Sequence, residues 1–258
     1  MIELLILFLL GIILEIVDSS IGMGYGTILT PTLIFLGYSP IIIIPAVLFS
    51  QAIGGIIATI SHHKNKNIEL SRKSGKNELI LIGIIAILGV IASIAAPILA
   101  TQISKKILNT YIGLLVLLMG LLILSEIRLR FSFSKMIFVG IISSFNKGIS
   151  GGGFGPVVTG SQIVLGQKHK KAVACTTASE PLICFAGFLS YLFITQSINW
   201  SMTLTLSAGA MIGALIGPVY TRKLNPKLLK RIIAVIMIML AIITLLTTYN
   251  LISFKLPI

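Results

Sequence analysis

The chain is a succession of long apolar runs separated by short polar stretches. Ten runs can be drawn, at 2–17, 22–37, 41–62, 78–100, 106–125, 135–149, 152–166, 171–195, 200–220 and 227–249. Each is continuously apolar instead of alternating, which predicts helices and excludes the strands of a membrane barrel. A helix rises 1.5 Å per residue and the hydrocarbon core of a bilayer is about 30 Å thick, so a span needs about 20 apolar residues. The first, second, sixth and seventh runs fall short of that as straight helices, and each short pair is joined by Gly-rich sequence. The expected class is all-α, a polytopic helical membrane protein. The first run has no basic residues ahead of it, carries Glu3 and Glu15 and lacks a small-x-small cleavage site. It therefore reads as part of the mature chain and not as a signal peptide.

Composition agrees. Of 258 residues, 56% are hydrophobic and 10% charged, where a soluble domain carries about 25% charged residues. The mean hydropathy is +1.06. A soluble domain of this size would have no polar coat, and a disordered chain is excluded equally. Two cysteines are too few for a disulfide scaffold; Cys175 and Cys184, nine residues apart in one run, read as small core residues. The net charge of +13, in so apolar a chain, points to basic loops on the cytoplasmic side and not to nucleic acid. Alternating the ten segments puts 63–77, 126–135, 167–171 and 221–231 on one side, and these loops hold sixteen of the twenty Lys and Arg. The expectation is a multi-pass protein of the cell membrane, with those loops cytoplasmic and both termini outside. His62, His63 and His169, in or beside these loops, are expected to be solvated or lipid-facing.

The chain also repeats itself. At an offset of 129, Gly22-Met-Gly-Tyr-Gly26 falls on Gly151-Gly-Gly-Phe-Gly155, Thr30 on Thr159, and Ser50-Gln51 on Ser179-Glu180. Beyond the loop 63–77 the offset becomes 121, and Pro97 falls on Pro218. This divides the chain into an N-terminal repeat, 1–129, and a C-terminal repeat, 130–258, of five segments each. Equivalent loops carry contrasting charge: 37–40 is neutral and 166–171 basic, while 63–77 is basic and 196–199 neutral. Two halves of opposite topology give that contrast. Inverted repeats with short, Gly-interrupted segments at matching places point to a transport site at the bilayer midplane. Broken helices expose amides there, and these are tolerated only where they line a cavity or are buried in protein. A helix N-terminus attracts anions.

These considerations select the candidate residues. Gly22, Gly24, Gly26, Gly151, Gly152, Gly153 and Gly155 would let backbone amides approach an oxyanion, with Ser19, Ser20 and Ser150 beside them; close helix packing is the competing use of the same glycines. Asp18 and Lys147 are repeat-equivalent and flank the two Gly-rich turns. A charge at the midplane costs about 2.5–3.5 kcal/mol on insertion scales, so each needs a partner or an aqueous cavity. Either they pair with each other, or Lys147 meets the anion while Asp18 takes a coupling proton. Glu180 precedes Pro181, which kinks its helix; Thr176, Thr177 and Ser179, with Ser50 and Gln51 from the other half, make a supporting polar pocket. Glu180 is the second coupling candidate, and Glu15, one turn before Asp18, a weaker one. Nothing resembles a nucleotide site. The lack of His and Cys clusters argues against a metal, and no cofactor is expected.

The stretches Asp18-Ser-Ser-Ile-Gly-Met-Gly-Tyr-Gly26 with Pro31, and Asn146-Lys-Gly-Ile-Ser-Gly-Gly-Gly-Phe-Gly155, together with the chain length and two-repeat layout, resemble the TauE/SafE sulfite-exporter family of membrane permeases. The first turn departs from a triple glycine at Met23. The resemblance implies movement of small sulfur-containing anions such as sulfite or sulfonates. The expected function is a secondary transporter of such anions, working by alternating access and coupled to a proton or ion gradient; its partners are the anion and the lipid bilayer, and a homo-oligomer is allowed. A passive anion channel is the nearer alternative. A rhomboid-like intramembrane serine protease is the farther one, because Gly148-Ile-Ser150-Gly151 matches its Gly-x-Ser-Gly string but no His lies deep in any segment to serve as base.

Overall fold

A computed structural model describes residues 2–69, 76–125, 133–164, 166–221 and 223–252. They form ten helices: α1 (Ile2–Ile21), α2 (Tyr25–Phe35), α3 (Pro40–Lys64), α4 (Lys76–Gln102), α5 (Lys105–Ser125), α6 (Phe133–Ser150), α7 (Phe154–Val164), α8 (His169–Thr195), α9 (Trp200–Tyr220) and α10 (Pro226–Thr248). Local signals set several of these boundaries. Proline at the start of α3 and α10 costs no backbone bond. Asn199 and Asn225 cap α9 and α10 by accepting from the amides of Met202 (3.0 Å) and Lys227 (3.1 Å). α1 and α6 end where Gly22 and Gly151 turn left-handed, with φ of 80° and 73°.

Among the described residues seven helices, α1, α3, α4, α5, α8, α9 and α10, are long and apolar enough to cross a membrane. One of the four segments expected to be short is not: α1 runs 20 residues, because the helix continues through polar residues that an apolar count stops at, whereas α6, at 18 residues, is not among the seven. Asp18, Ser19 and Ser20 extend α1 and are all buried. The short helices are α2 and α7, of 11 residues each and so about 16 Å long. Large apolar side chains such as Ile87, Ile91, Leu118 and Met239 are more than half exposed, as a lipid-facing surface requires.

Residue contacts give the helix directions. α1 lies parallel to α9, since Cβ atoms added at Gly209, Gly213 and Gly217 would meet the carbonyls of Phe8, Ile12 and Ile16 in turn. α3 also runs parallel to α9, with Gly54 at Ala210 and Ser61 bonded to the Leu215 carbonyl. α4 runs parallel to α6 and α8, where Gly148 meets Ser93 and Ala96, and Gly187 meets Ser93. α3 and α8 are antiparallel, with Leu48 against Gly187 and Gly55 against Pro181. α5 and α10 are antiparallel too, Gly113 meeting Leu245 and Gly120 meeting Ile238. The extensive pairings exchange under the two offsets of 129 and 121: α1 with α9 matches α6 with α4, and α3 with α9 matches α8 with α4.

The α1–α9 seam gives a stability prediction. A methyl group at Gly213 would lie 2.5 Å from the Ile12 carbonyl oxygen and 2.8 Å from Glu15 Cβ, so helices held by close backbone approach would have to part. Gly213→Ala is expected to cost about 1–3 kcal/mol. Gly83→Ala, in α4 with nothing within 4 Å of the new methyl, should be neutral or stabilising by up to about 1 kcal/mol. Thermal melts of the two variants in detergent against the wild type check the contrast.

Candidate functional site

The two Gly-rich turns cross each other in the interior. A Cβ at Gly26 would fall on the Gly151 carbonyl, and one at its repeat mate Gly155 on the Gly22 carbonyl, Gly22 being in turn the mate of Gly151. Flanking contacts are reciprocal as well: a Cβ at Gly22 would meet Thr159 Oγ1 at 2.5 Å, and one at Gly151 would meet Thr30 Oγ1 at 2.8 Å. Backbone therefore packs on backbone, and glycine is what permits it.

The glycines play more than one part. The amides of Gly22 and Gly151 close their own helices, on the carbonyls of Asp18 (2.6 Å) and Lys147 (2.8 Å). The Gly152 amide donates to Ser150 Oγ at 3.1 Å. Gly22 and Gly151 serve the crossing and lie outside the small cavity beside it. That half-open cavity is lined by Asp18, Gly24, Gly26, Thr27, Lys147, Gly152, Gly153, Phe154, Gly155, Pro156 and Glu180, and has a volume of about 10 Å³, room for about one water molecule.

A buried charged cluster forms its wall. Lys147, near the end of α6, is 2% exposed; Glu180, near the middle of the 27-residue α8, is 5% exposed. Their side chains form an ion pair at 2.6 Å. Gln51, near the middle of the 25-residue α3, accepts from Lys147 and donates to Glu180 Oε1 at 3.4 Å. Lys147 thus pairs with Glu180 and not with its repeat mate Asp18. Asp18 lines the same cavity and accepts the amide of Tyr25, the first residue of α2, at 3.1 Å. A carboxylate there complements the positive end of a helix. At the equivalent place in the second half, a lysine stands beside the start of α7, where Pro156 can offer no amide. The repeat mates Asp18 and Lys147, Gln51 and Glu180 all converge here, but they are chemically unlike.

The remaining candidates surround this centre. Ser50 Oγ accepts from Tyr25 at 2.8 Å and donates to the Val47 carbonyl. Thr176 Oγ1 receives Gln162 at 3.0 Å and lies 2.9 Å from Thr159 Oγ1; Ser179 bonds back to the Thr176 carbonyl, and the Thr177 carbonyl receives Thr59. Ser19 and Ser20 donate to α1 carbonyls at Glu15 and Val17. These hydroxyls brace the helices around the cavity without lining it. Ser150 donates to the Asn146 carbonyl at 2.6 Å and receives the Gly152 amide, so its oxygen is held by its own turn, with no histidine beside it as a protease nucleophile needs. Two further residues gain weight in three dimensions. Glu15 is 2% exposed and its Oε2 has no hydrogen-bond partner; its position one turn from Asp18 was the available signal. His62 is fully buried, contrary to the expected solvated or lipid-facing place. Asn67 folds back 3.0 Å from its Nδ1 and donates to the Pro218 carbonyl at 2.8 Å, which seals the end of α3 against α9.

The family model described as "Sulfite exporter TauE/SafE" matches residues 7–244. The chain is similar to the probable membrane transporter protein YtnM of Bacillus subtilis (strain 168), 27% identical over 88% of this chain and 77% of that protein. It is also similar to the probable membrane transporter protein YunE of the same organism, 24% identical over 91% of this chain and 94% of that one. No solved structure matches it.

Proposed function

We propose that this chain, which belongs to the TauE/SafE family and is a multi-pass membrane transporter and not an enzyme, carries small sulfur oxyanions such as sulfite or sulfonates by alternating access, coupled to an ion gradient. The single observation that carries the reading is Lys147, a cation buried beside crossed glycine turns and the start of α7. Two inverted repeats are the scaffold. In support, α3 and α5 run antiparallel to their mates α8 and α10, and the packing exchanges between the halves. The anion would sit between Lys147 and the amides that begin α7, where a charged donor and a helix terminus act together. Asp18 occupies the corresponding place in the first half and acts there as a tethered anion. The cavity of about 10 Å³ admits no oxyanion without movement of the halves, which favours alternating access over an open channel. The basic loops face the cytoplasm in this reading.

Uptake into proteoliposomes tests it. Labelled sulfite or a small sulfonate should enter vesicles containing the protein and be outcompeted by the other sulfur anions, while acetate competes weakly. Thermal-shift screening with the same anions should stabilise the protein by about 2.7 kcal/mol at a hundred times the dissociation constant. No flux and no stabilisation with any sulfur anion would refute the substrate class.

A further inference from the structure

We infer that Glu180 is the anion's competitor for Lys147, so that each bound anion brings one proton with it and the two move across the membrane in the same direction. The inference rests on the transport reading above and adds the sign and stoichiometry of coupling.

It begins from what surrounds the Lys147–Glu180 pair. α1 contributes Glu15 and Asp18 near it, α3 contributes Gln51, α6 contributes Lys147, and α8 carries Cys184 one turn beyond Glu180. α7 has no titratable residue, and α4 has none between Leu79 and Gln102. The neighbourhood therefore contains three buried carboxyl groups and one buried ammonium. Asp18 accepts the Tyr25 amide at 3.1 Å and is not paired with Lys147. Glu180 has Lys147 at 2.6 Å and, apart from it, the Gln51 amide at 3.4 Å.

An anion that takes Lys147 must displace the carboxylate already there. Glu180 is then left with one long hydrogen bond, beside two other carboxyls and the arriving negative charge. A buried carboxylate stripped of its cation is expensive, and it takes up a proton in preference to remaining charged. The balance is simple: the anion and one proton enter, the anion pairs with the Lys147 ammonium, and Glu180 becomes a neutral acid that can still accept from Gln51. Release reverses both steps. With one ammonium shared between two anionic claimants, the ion pair is rebuilt only when anion and proton have both left. A proton moving opposite to the anion would require Glu180 to ionise as the anion binds, adding charge where it is least tolerated.

The experiment uses the full chain in proteoliposomes with a pH-sensitive dye inside, the membrane potential clamped, and an inward gradient of methanesulfonate, which carries no titrating proton near neutrality. The lumen should acidify by one proton per anion. Alkalinisation, or anion entry with no pH change, overturns the coupling while leaving the transport reading intact. No anion entry, with sulfite and sulfate as well, overturns both. In Glu180→Gln the proton-to-anion ratio should fall from one to near zero, and methanesulfonate should bind more tightly at alkaline pH; a ratio that stays at one places the proton elsewhere and refutes the assignment. Should that variant fail to fold, wild-type methanesulfonate affinity decides. It should weaken by up to about tenfold per pH unit in the alkaline range for a one-proton linkage, and a flat profile refutes the inference.

Discussion

Gly26→Val yields no folded protein. The first atom of any side chain at Gly26 lands on the Gly151 carbonyl, with the Gly152 Cα 3.1 Å away. Both neighbours are backbone, in a turn whose ends are fixed by α6 and α7. A flexible side chain could rotate aside; a peptide plane pinned between two helices cannot. Overpacking in ordinary cores costs about 1–3 kcal/mol, and backbone meeting backbone should exceed about 4 kcal/mol, a large share of the stability of any domain. Gly155→Val fails for the mirrored reason, against the Gly22 carbonyl. Gly160→Ala, in α7 with open space around it, is the control and should behave as wild type. Membrane yield and monodispersity in detergent read out all three. A Gly26→Val protein that elutes as a single species with an unchanged melting temperature would show that the turns do not cross as described.

Lys147→Met has the second largest effect, on both stability and flux. Removing one partner of a buried ion pair costs about 3–5 kcal/mol, and here Glu180 would lose its cation and have to stay bare or take up a proton, most costly at alkaline pH. Anion transport should fall by about 100-fold or more, since truncating a buried charged partner costs binding about 2–5 kcal/mol. The two effects separate in the double variant Lys147→Met/Glu180→Gln. Melting temperature should recover towards wild type, because no bare carboxylate remains, whereas flux should not, because the anion still finds no cation. A double variant no more stable than Lys147→Met alone would mean that the pair contributes little to stability. Recovery of flux would mean that Lys147 does not touch the anion.

How much of this could be read from the chain differs by feature. The ten segments came from apolar run length, since a bilayer tolerates few other solutions. The length of α1 was misjudged for a local reason: the run was ended at Asp18, whereas the helix continues through it on a buried face. The repeat offset placed Asp18 with Lys147 and Gln51 with Glu180 as equivalents. It could not say that Lys147 would choose Glu180, because partner choice depends on how α3, α6 and α8 approach, and that is written in packing and not in spacing. The glycines were legible as a group, but that Gly26 and Gly155 both permit the crossing and line the cavity, while Gly22 and Gly151 lie outside it, depends on how the two turns meet. His62 was misplaced because its seal requires Asn67 and Pro218, which are 151 residues apart.

The cavity beside Lys147 has a consequence for the cell. Protons cross a membrane protein along an unbroken file of hydrogen-bonded waters, and a space for about one water makes no such wire. With no solute added, proton leak in vesicles containing the protein should therefore match that of protein-free lipid, and a larger leak would reveal a wider water path than this one.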